Sequence, residues 1–76
     1  MASDLGARPG DSILAGLSDE QRAELEQKSY VWVGEDVVWI DRERGVRREA
    51  MSRLYYIQTT RGVFRVSRIA REIVEV

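Results

Sequence analysis

Arginine is the side chain of this sequence best suited to binding chemistry, and it is concentrated in one segment. Residues 41–56, DRERGVRREAMSRLYY, carry five arginines directly before two tyrosines. A guanidinium group presents a planar fork of donors that matches phosphate and carboxylate, and it also stacks on aromatic rings. The pattern therefore predicts a surface that binds an acidic polymer or another protein. The residues assigned to this surface are Arg47, Arg48, Arg53, Tyr55, Arg61, Arg65 and Arg68.

The net charge of −1 hides an uneven distribution of charged side chains. Residues 1–40 carry three basic and eight acidic side chains, whereas residues 41–71 carry nine arginines and three acids. The basic half can attract an external anion, or its arginines can pair with the acidic half of the same chain. A pI of about 5.4 argues against strong phosphate binding, because nucleic-acid-binding domains are commonly much more basic.

This chain contains few residues of the types that usually act in catalysis. The sequence has no cysteine, no histidine and a single lysine, Lys28. An activated serine, threonine or cysteine nucleophile usually needs a histidine base. The glycines do not follow the spacing of a phosphate-binding loop, and the acids do not follow that of a calcium loop. We therefore predict a protein that is not an enzyme, with no catalytic residues, no cofactor, no metal site and no small-molecule substrate.

The N-terminal third predicts an arm followed by one helix. Residues 1–11 contain two glycines and the only proline among small polar residues, and we expect a flexible arm there. A single domain is expected over residues 12–76. Ser18 is a favourable N-cap, and Gln21 follows it at the spacing of a capping box. The sequence therefore predicts a helix over residues 19–27.

The rest of the chain reads mainly as β-strands. The segment 29–41, rich in β-branched and aromatic residues, predicts two strands around Gly34 with apolar side chains on both faces. A hairpin is expected to turn at residues 60–62, and a final strand at 72–76. Residues 46–53 are compatible with a helix or an exposed strand, and we favour an irregular or strand-like segment.

The order of these elements predicts an α+β fold that is mostly antiparallel β. Strand, turn, strand, hairpin, short turn and closing strand resemble the order of a small SH3-like barrel, or of a 4-5-stranded sheet, preceded by one short N-terminal helix. The alternative is a three- to four-stranded antiparallel sheet with one or two packed helices. Fold alone does not determine function in either case.

Two functional classes are compatible with these features. The favoured one is a small protein-interaction module, an adaptor, subunit or inhibitor that binds a larger partner or itself. The alternative is a nucleic-acid-binding regulator that uses the arginine-rich residues 42–68. No apolar run is long enough for a membrane span and no secretory signal is evident, so we expect a cytoplasmic protein without membrane partners. Eleven arginines against one lysine indicate GC-rich coding, which suits a bacterial or phage source.

Overall fold

Two helices precede six strands in the part of the chain that a computed structural model describes, residues 11–76. The helices are α1 (Asp11–Ala15) and α2 (Asp19–Lys28). The strands are β1 (Tyr30–Val33), β2 (Asp36–Asp41), β3 (Gly45–Ala50), β4 (Tyr56–Thr59), β5 (Gly62–Ser67) and β6 (Glu72–Glu75), with a 3₁₀ turn at Met51–Arg53. The strands form one curled antiparallel sheet. The predicted α+β fold is thereby confirmed, and it is consistent with a small SH3-like barrel.

Helix α2 begins at a capping box, as its sequence predicts. Ser18 Oγ accepts a hydrogen bond from the Gln21 N–H at 3.1 Å, and the Ser18 N–H donates to Gln21 Oε1 at 2.9 Å. These bonds satisfy backbone groups that the first turn of a helix leaves without partners. The helix ends beside Ser29, whose left-handed backbone (φ 70°) leads the chain into β1.

Strand β2 joins the two halves of the sheet. It pairs with β1 on one side and with β3 on the other, and its last residue, Asp41, pairs with Thr59 of β4. Strands β4, β5 and β6 continue as an antiparallel meander. The predicted hairpin turn between β4 and β5 is confirmed. Thr59 Oγ1 closes that turn by accepting from the Arg61 N–H at 3.0 Å and donating to the Gly62 carbonyl oxygen at 2.9 Å.

Both faces of β2 are buried, each in its own apolar cluster. The inner core, between the two halves of the curled sheet, consists of Val37, Trp39, Met51, Ile57 and Val66. The helix-side core, beneath the helices, consists of Leu17, Leu25, Val31 and Val38. Successive residues of a strand point to opposite faces, so neighbouring valines of β2 enter different cores. This confirms the expectation of apolar side chains on both faces of these strands.

Residues 46–53 divide into a strand and a single 3₁₀ turn. The favoured strand interpretation is confirmed for residues 46–50, which belong to β3. Met51 begins the 3₁₀ turn and is buried in the inner core. The turn is needed because the chain must leave β3 and enter the other half of the sheet at β4.

The N-terminal region contains one more helix than the sequence predicts. Helix α1 places Ile13 and Leu14 against the helix-side core, which explains why these apolar residues interrupt a polar segment. Asp11, the last residue of the predicted arm, is the first residue of α1. The remainder of the predicted arm lies outside the described residues. The sheet has six strands because β3 and β6 both form.

Candidate functional site

A row of three exposed side chains crosses the outside of strands β4, β5 and β6. Tyr56 pairs with Arg65, and Arg65 pairs with Val74. Directly paired residues of neighbouring strands share a face of the sheet. Ile57 and Val66 alternate with this row and lie in the inner core. The row Tyr56–Arg65–Val74 therefore faces away from the inner core.

The large apolar side chains that are exposed all belong to this half of the molecule. Among residues 11–76 they are Tyr55, Tyr56, Ile69, Val74 and Val76. Tyr56 is 58% exposed and Ile69 is fully exposed. Isolated exposed apolar residues are common, whereas neighbouring ones mark contact surfaces. The outer surface comprises the row Tyr56, Arg65 and Val74 together with Tyr55, Arg68, Ile69 and Val76, which lie just beyond the ends of β4, β5 and β6.

Arg68 is held in a fixed orientation at one end of the outer surface. Its guanidinium carbon lies 4.5 Å from the centre of the Tyr55 ring. Its Nη1 donates a hydrogen bond to the Ser52 carbonyl oxygen at 2.8 Å. The cation–π contact and the hydrogen bond together orient the guanidinium plane, so its other donors are preorganised for a partner.

The predicted site residues are all exposed, but the structure does not bring all seven together. Tyr55, Arg65 and Arg68 belong to the outer surface. Arg47 and Arg48 are adjacent in β3 and point to opposite faces of that strand. Arg48 Nε donates to Asp36 Oδ2 at 2.8 Å, on the same face as the helices.

Arg53 and Arg61 lie apart from the outer surface. Arg53 ends the 3₁₀ turn, and Arg61 occupies the turn between β4 and β5. Arg61 lines a cleft of about 300 Å³ beside the end of α2. The residues around the cleft are Gln27, Lys28, Tyr30, Arg61, Phe64 and Glu75. The cleft contains charges of both signs and two aromatic rings whose centres are 5.2 Å apart.

Two arginines of the basic half pair with acids of the acidic half. These are Arg48 with Asp36, described above, and Arg71 with Glu35, whose Nη2 and Oε1 atoms are 3.3 Å apart. The pairing between halves that the charge distribution suggested is therefore present at two consecutive acids, where the β1–β2 turn enters β2. Such exposed pairs contribute little to stability, about 0–1 kcal/mol each.

The turn between β2 and β3 is organised by Asp41. Its Oδ1 accepts hydrogen bonds from the N–H groups of Glu43 at 2.8 Å and Arg44 at 2.9 Å. The Glu43 bond is the main reason that the pKa of Asp41 lies below its ordinary value, while partial burial opposes this lowering. The indole N–H of Trp39 also favours the charged carboxylate, although it makes no hydrogen bond of normal geometry in the described part of the chain.

Four residues of the outer surface were not in the predicted set: Tyr56, Ile69, Val74 and Val76. Val74 and Val76 are two residues apart in an extended segment, which is a signal for a shared face. Tyr56 stands at the start of a strand-like segment, where the sequence alone does not show which face is exposed. Ile69 lies in a turn, where no periodic pattern indicates exposure.

Within residues 11–76, no group of three or more potential metal-ligating side chains is arranged to hold an ion. No helix in that part of the chain is long and apolar enough to cross a membrane. Comparisons with protein families, with curated proteins and with solved structures find no match to this chain. Function must therefore be inferred from the surfaces of the molecule itself.

Proposed function

We propose that this chain is a small non-enzymatic protein-interaction module, an adaptor, subunit or inhibitor that binds through its outer surface. The observation that carries the proposal is that every exposed large apolar side chain of residues 11–76 belongs to residues 55–76, the half of the sheet formed by β4, β5 and β6. Tyrosine and arginine are enriched among the residues that dominate binding energy at protein interfaces. A chain of 76 residues has little core of its own, so a partner would also stabilise it.

The row Tyr56–Arg65–Val74 defines the chemistry of the partner. Tyr56 and Val74 supply apolar contact area on either side of the Arg65 side chain. The methylene stem of an arginine packs against apolar groups while its guanidinium remains free for a carboxylate. The outer surface thus suits a protein patch that combines apolar side chains with an acidic residue or a C=O group.

Site-specific photo-crosslinking tests this proposal. p-Benzoylphenylalanine replaces Tyr56 in one variant and Glu26, an exposed residue of α2, in a matched control. In cells that naturally make the chain, we expect a discrete protein adduct from position 56 that is absent from position 26. Adding Arg65→Glu should reduce the adduct at least about tenfold, since like charges across an interface cost several kcal/mol. Equal labelling from both positions, or none from either, would contradict the proposal.

Nucleic-acid binding through residues 42–68 remains the alternative proposal. Its supporting feature is the pair of exposed tyrosines beside arginines, because bases stack on such rings. Against it, Arg47 and Arg48 point to opposite faces, and Arg48 is paired with Asp36. A fluorescence-anisotropy titration with duplex DNA and single-stranded RNA at about 50 and 200 mM salt tests whether the chain binds nucleic acid. Micromolar binding that is lost at the higher salt and in Arg47→Ala/Arg48→Ala would favour this alternative over a protein partner.

A further inference from the structure

We infer that the partner at strand β6 is a second copy of this chain, whose own β6 pairs with the first around a twofold axis. The inference rests on the proposed function, because it names a partner for the same half of the molecule. Among the strands of residues 11–76, β6 lies at one end of the sheet and pairs only with β5. Its other edge therefore presents backbone groups that another strand can bind.

The hydrogen-bonding pattern shows which groups face this edge. The Val76 N–H donates to the Val63 carbonyl oxygen at 3.1 Å, so Val76 turns its N–H toward β5. N–H and C=O groups alternate in direction along a strand, and the pairing of β6 with β5 is continuous. Val74 and Glu72 therefore also bind β5, and the N–H and C=O groups of Ile73 and Glu75 face the open edge.

These two residues fix the register of a symmetric antiparallel pair. Ile73 binds Glu75 of the second copy, and Glu75 binds Ile73 of the second copy, which gives four backbone hydrogen bonds. Val74 then lies on the twofold axis, directly opposite Val74 of the second copy. Glu72 lies opposite Val76, so no two like charges are directly opposed. A register centred on Ile73 gives only one hydrogen-bonded residue pair within the strands, Ile73 with Ile73 of the second copy. A register centred on Glu75 places the two Glu75 side chains directly opposite each other.

Strand β3, which also has an outer edge, is unsuited to the same pairing. The Met51 N–H donates to the Glu35 carbonyl oxygen, so Val46, Arg48 and Ala50 direct their backbone groups to the open edge. Symmetric pairing there centres on Arg47, Arg48 or Glu49, and each choice opposes two like charges. The Ala50 N–H is, in addition, already bonded to the Glu49 side chain at 3.2 Å. The charges of β3 thus disfavour edge pairing, whereas those of β6 permit it.

Two apolar side chains in and beside β6 are exposed and would gain contacts in this pairing. Val74 is 39% exposed and Val76 77% exposed. Pairing on the twofold axis places Val74 beside Val74 of the second copy and Val76 beside Glu72, and it extends the row Tyr56–Arg65–Val74 into the matching row of the second copy. Apolar groups at an interface of this kind are removed from water.

A charge-complementation experiment tests the register. We expect the full chain to be a concentration-dependent dimer by sedimentation velocity. Val74→Lys and Val74→Glu should each weaken dimerisation at least about tenfold, because each places like charges opposite one another on the twofold axis. An equimolar mixture of the two variants should dimerise again. A mixture that stays monomeric while the parent dimerises would overturn this register.

Backbone and side-chain effects are separated at Glu75. Glu75→Pro removes an edge N–H that β5 does not use and should give a monomer, whereas Glu75→Ala keeps that N–H and should leave the dimer intact. Far-UV circular dichroism checks that both variants are folded. If the parent chain is monomeric at every concentration while position 56 crosslinks a different protein, the second-copy inference fails and the proposed function stands. If the chain neither dimerises nor crosslinks another protein from position 56, both the second-copy inference and the proposed function fail.

Discussion

At the scale of single residues, Asp41 and Arg68 show how charged groups organise turns in this molecule. Asp41 accepts two backbone hydrogen bonds in the β2–β3 turn, and Arg68 connects the turn after β5 to the 3₁₀ turn by its bond to Ser52. Neither side chain is part of an apolar core. Each acts by satisfying backbone groups or fixing an orientation where the chain changes direction.

The lowered pKa of Asp41 gives a prediction about pH. A carboxyl group whose folded-state pKa lies below its unfolded value near 3.8 stabilises the fold above that value and loses this effect as pH falls through the folded-state pKa. Asp41→Asn keeps an acceptor oxygen but no charge, so it should lower the free energy of unfolding by about 1 kcal/mol at neutral pH. Urea unfolding at about pH 7 and pH 2 checks this, and the difference between variant and parent should shrink at the lower pH. An undiminished difference would contradict it.

At the scale of elements, helix α2 depends on its N-terminal cap more than on its apolar surface. Leu25 is its only buried residue, and the capping box at Ser18 satisfies the first turn. The exposed bond between Glu24 and Lys28 adds only a few tenths of a kcal/mol, about 0.3–0.5. Local hydrogen bonds at one end therefore decide where this helix starts.

Removing the cap should destabilise the whole domain, because Leu25 belongs to the helix-side core. Ser18→Ala should lower the free energy of unfolding by about 1 kcal/mol. Ser52→Ala is a suitable control, because among residues 11–76 this exposed residue forms a side-chain-to-backbone hydrogen bond through its carbonyl oxygen, which alanine keeps. Thermal and urea unfolding by circular dichroism measure both variants. Similar stability losses in the two variants would show that the capping box contributes nothing specific.

At the scale of the whole molecule, β2 makes the two cores one cooperative unit. Val37 and Val38 are adjacent and both fully buried, yet Val37 lies in the inner core and Val38 in the helix-side core. Loss of packing on either face disturbs the same strand. Since β2 also pairs with β1, β3 and β4, we expect the two cores to unfold together.

We therefore expect Val37→Ala and Val38→Ala to lower the free energy of unfolding by similar amounts, about 2 kcal/mol each. Tryptophan fluorescence reports on the inner core, which Trp39 occupies and Trp32 contacts, and far-UV circular dichroism reports on the helices. Both signals should change at one urea midpoint in each variant. Separate midpoints in Val38→Ala would mean that the helices and the sheet unfold independently.

Features that depend on neighbours in the chain were determined by the sequence. The capping box joins residues three apart, the hairpin turn is closed by Thr59 and Gly62, and Phe64 and Val66 alternate with Arg65 along β5. Each of these depends on backbone geometry within a few residues, so composition and spacing are enough to predict it. The antiparallel α+β class followed from the same local signals.

Only the tertiary structure decided which distant side chains share a surface. The row Tyr56–Arg65–Val74 is set by the registers of two strand pairs, and the Arg48–Asp36 bond joins residues twelve apart across β2 and β3. The turn between β4 and β5 fixes the first of these registers, whereas a shift of one residue between β5 and β6 would move the side chains of β6 to the opposite face, and no tight turn joins those two strands. For this reason the sequence predicted an arginine-rich binding segment, whereas the pairing of strands divided those arginines among several sides and assembled the outer surface from other residues.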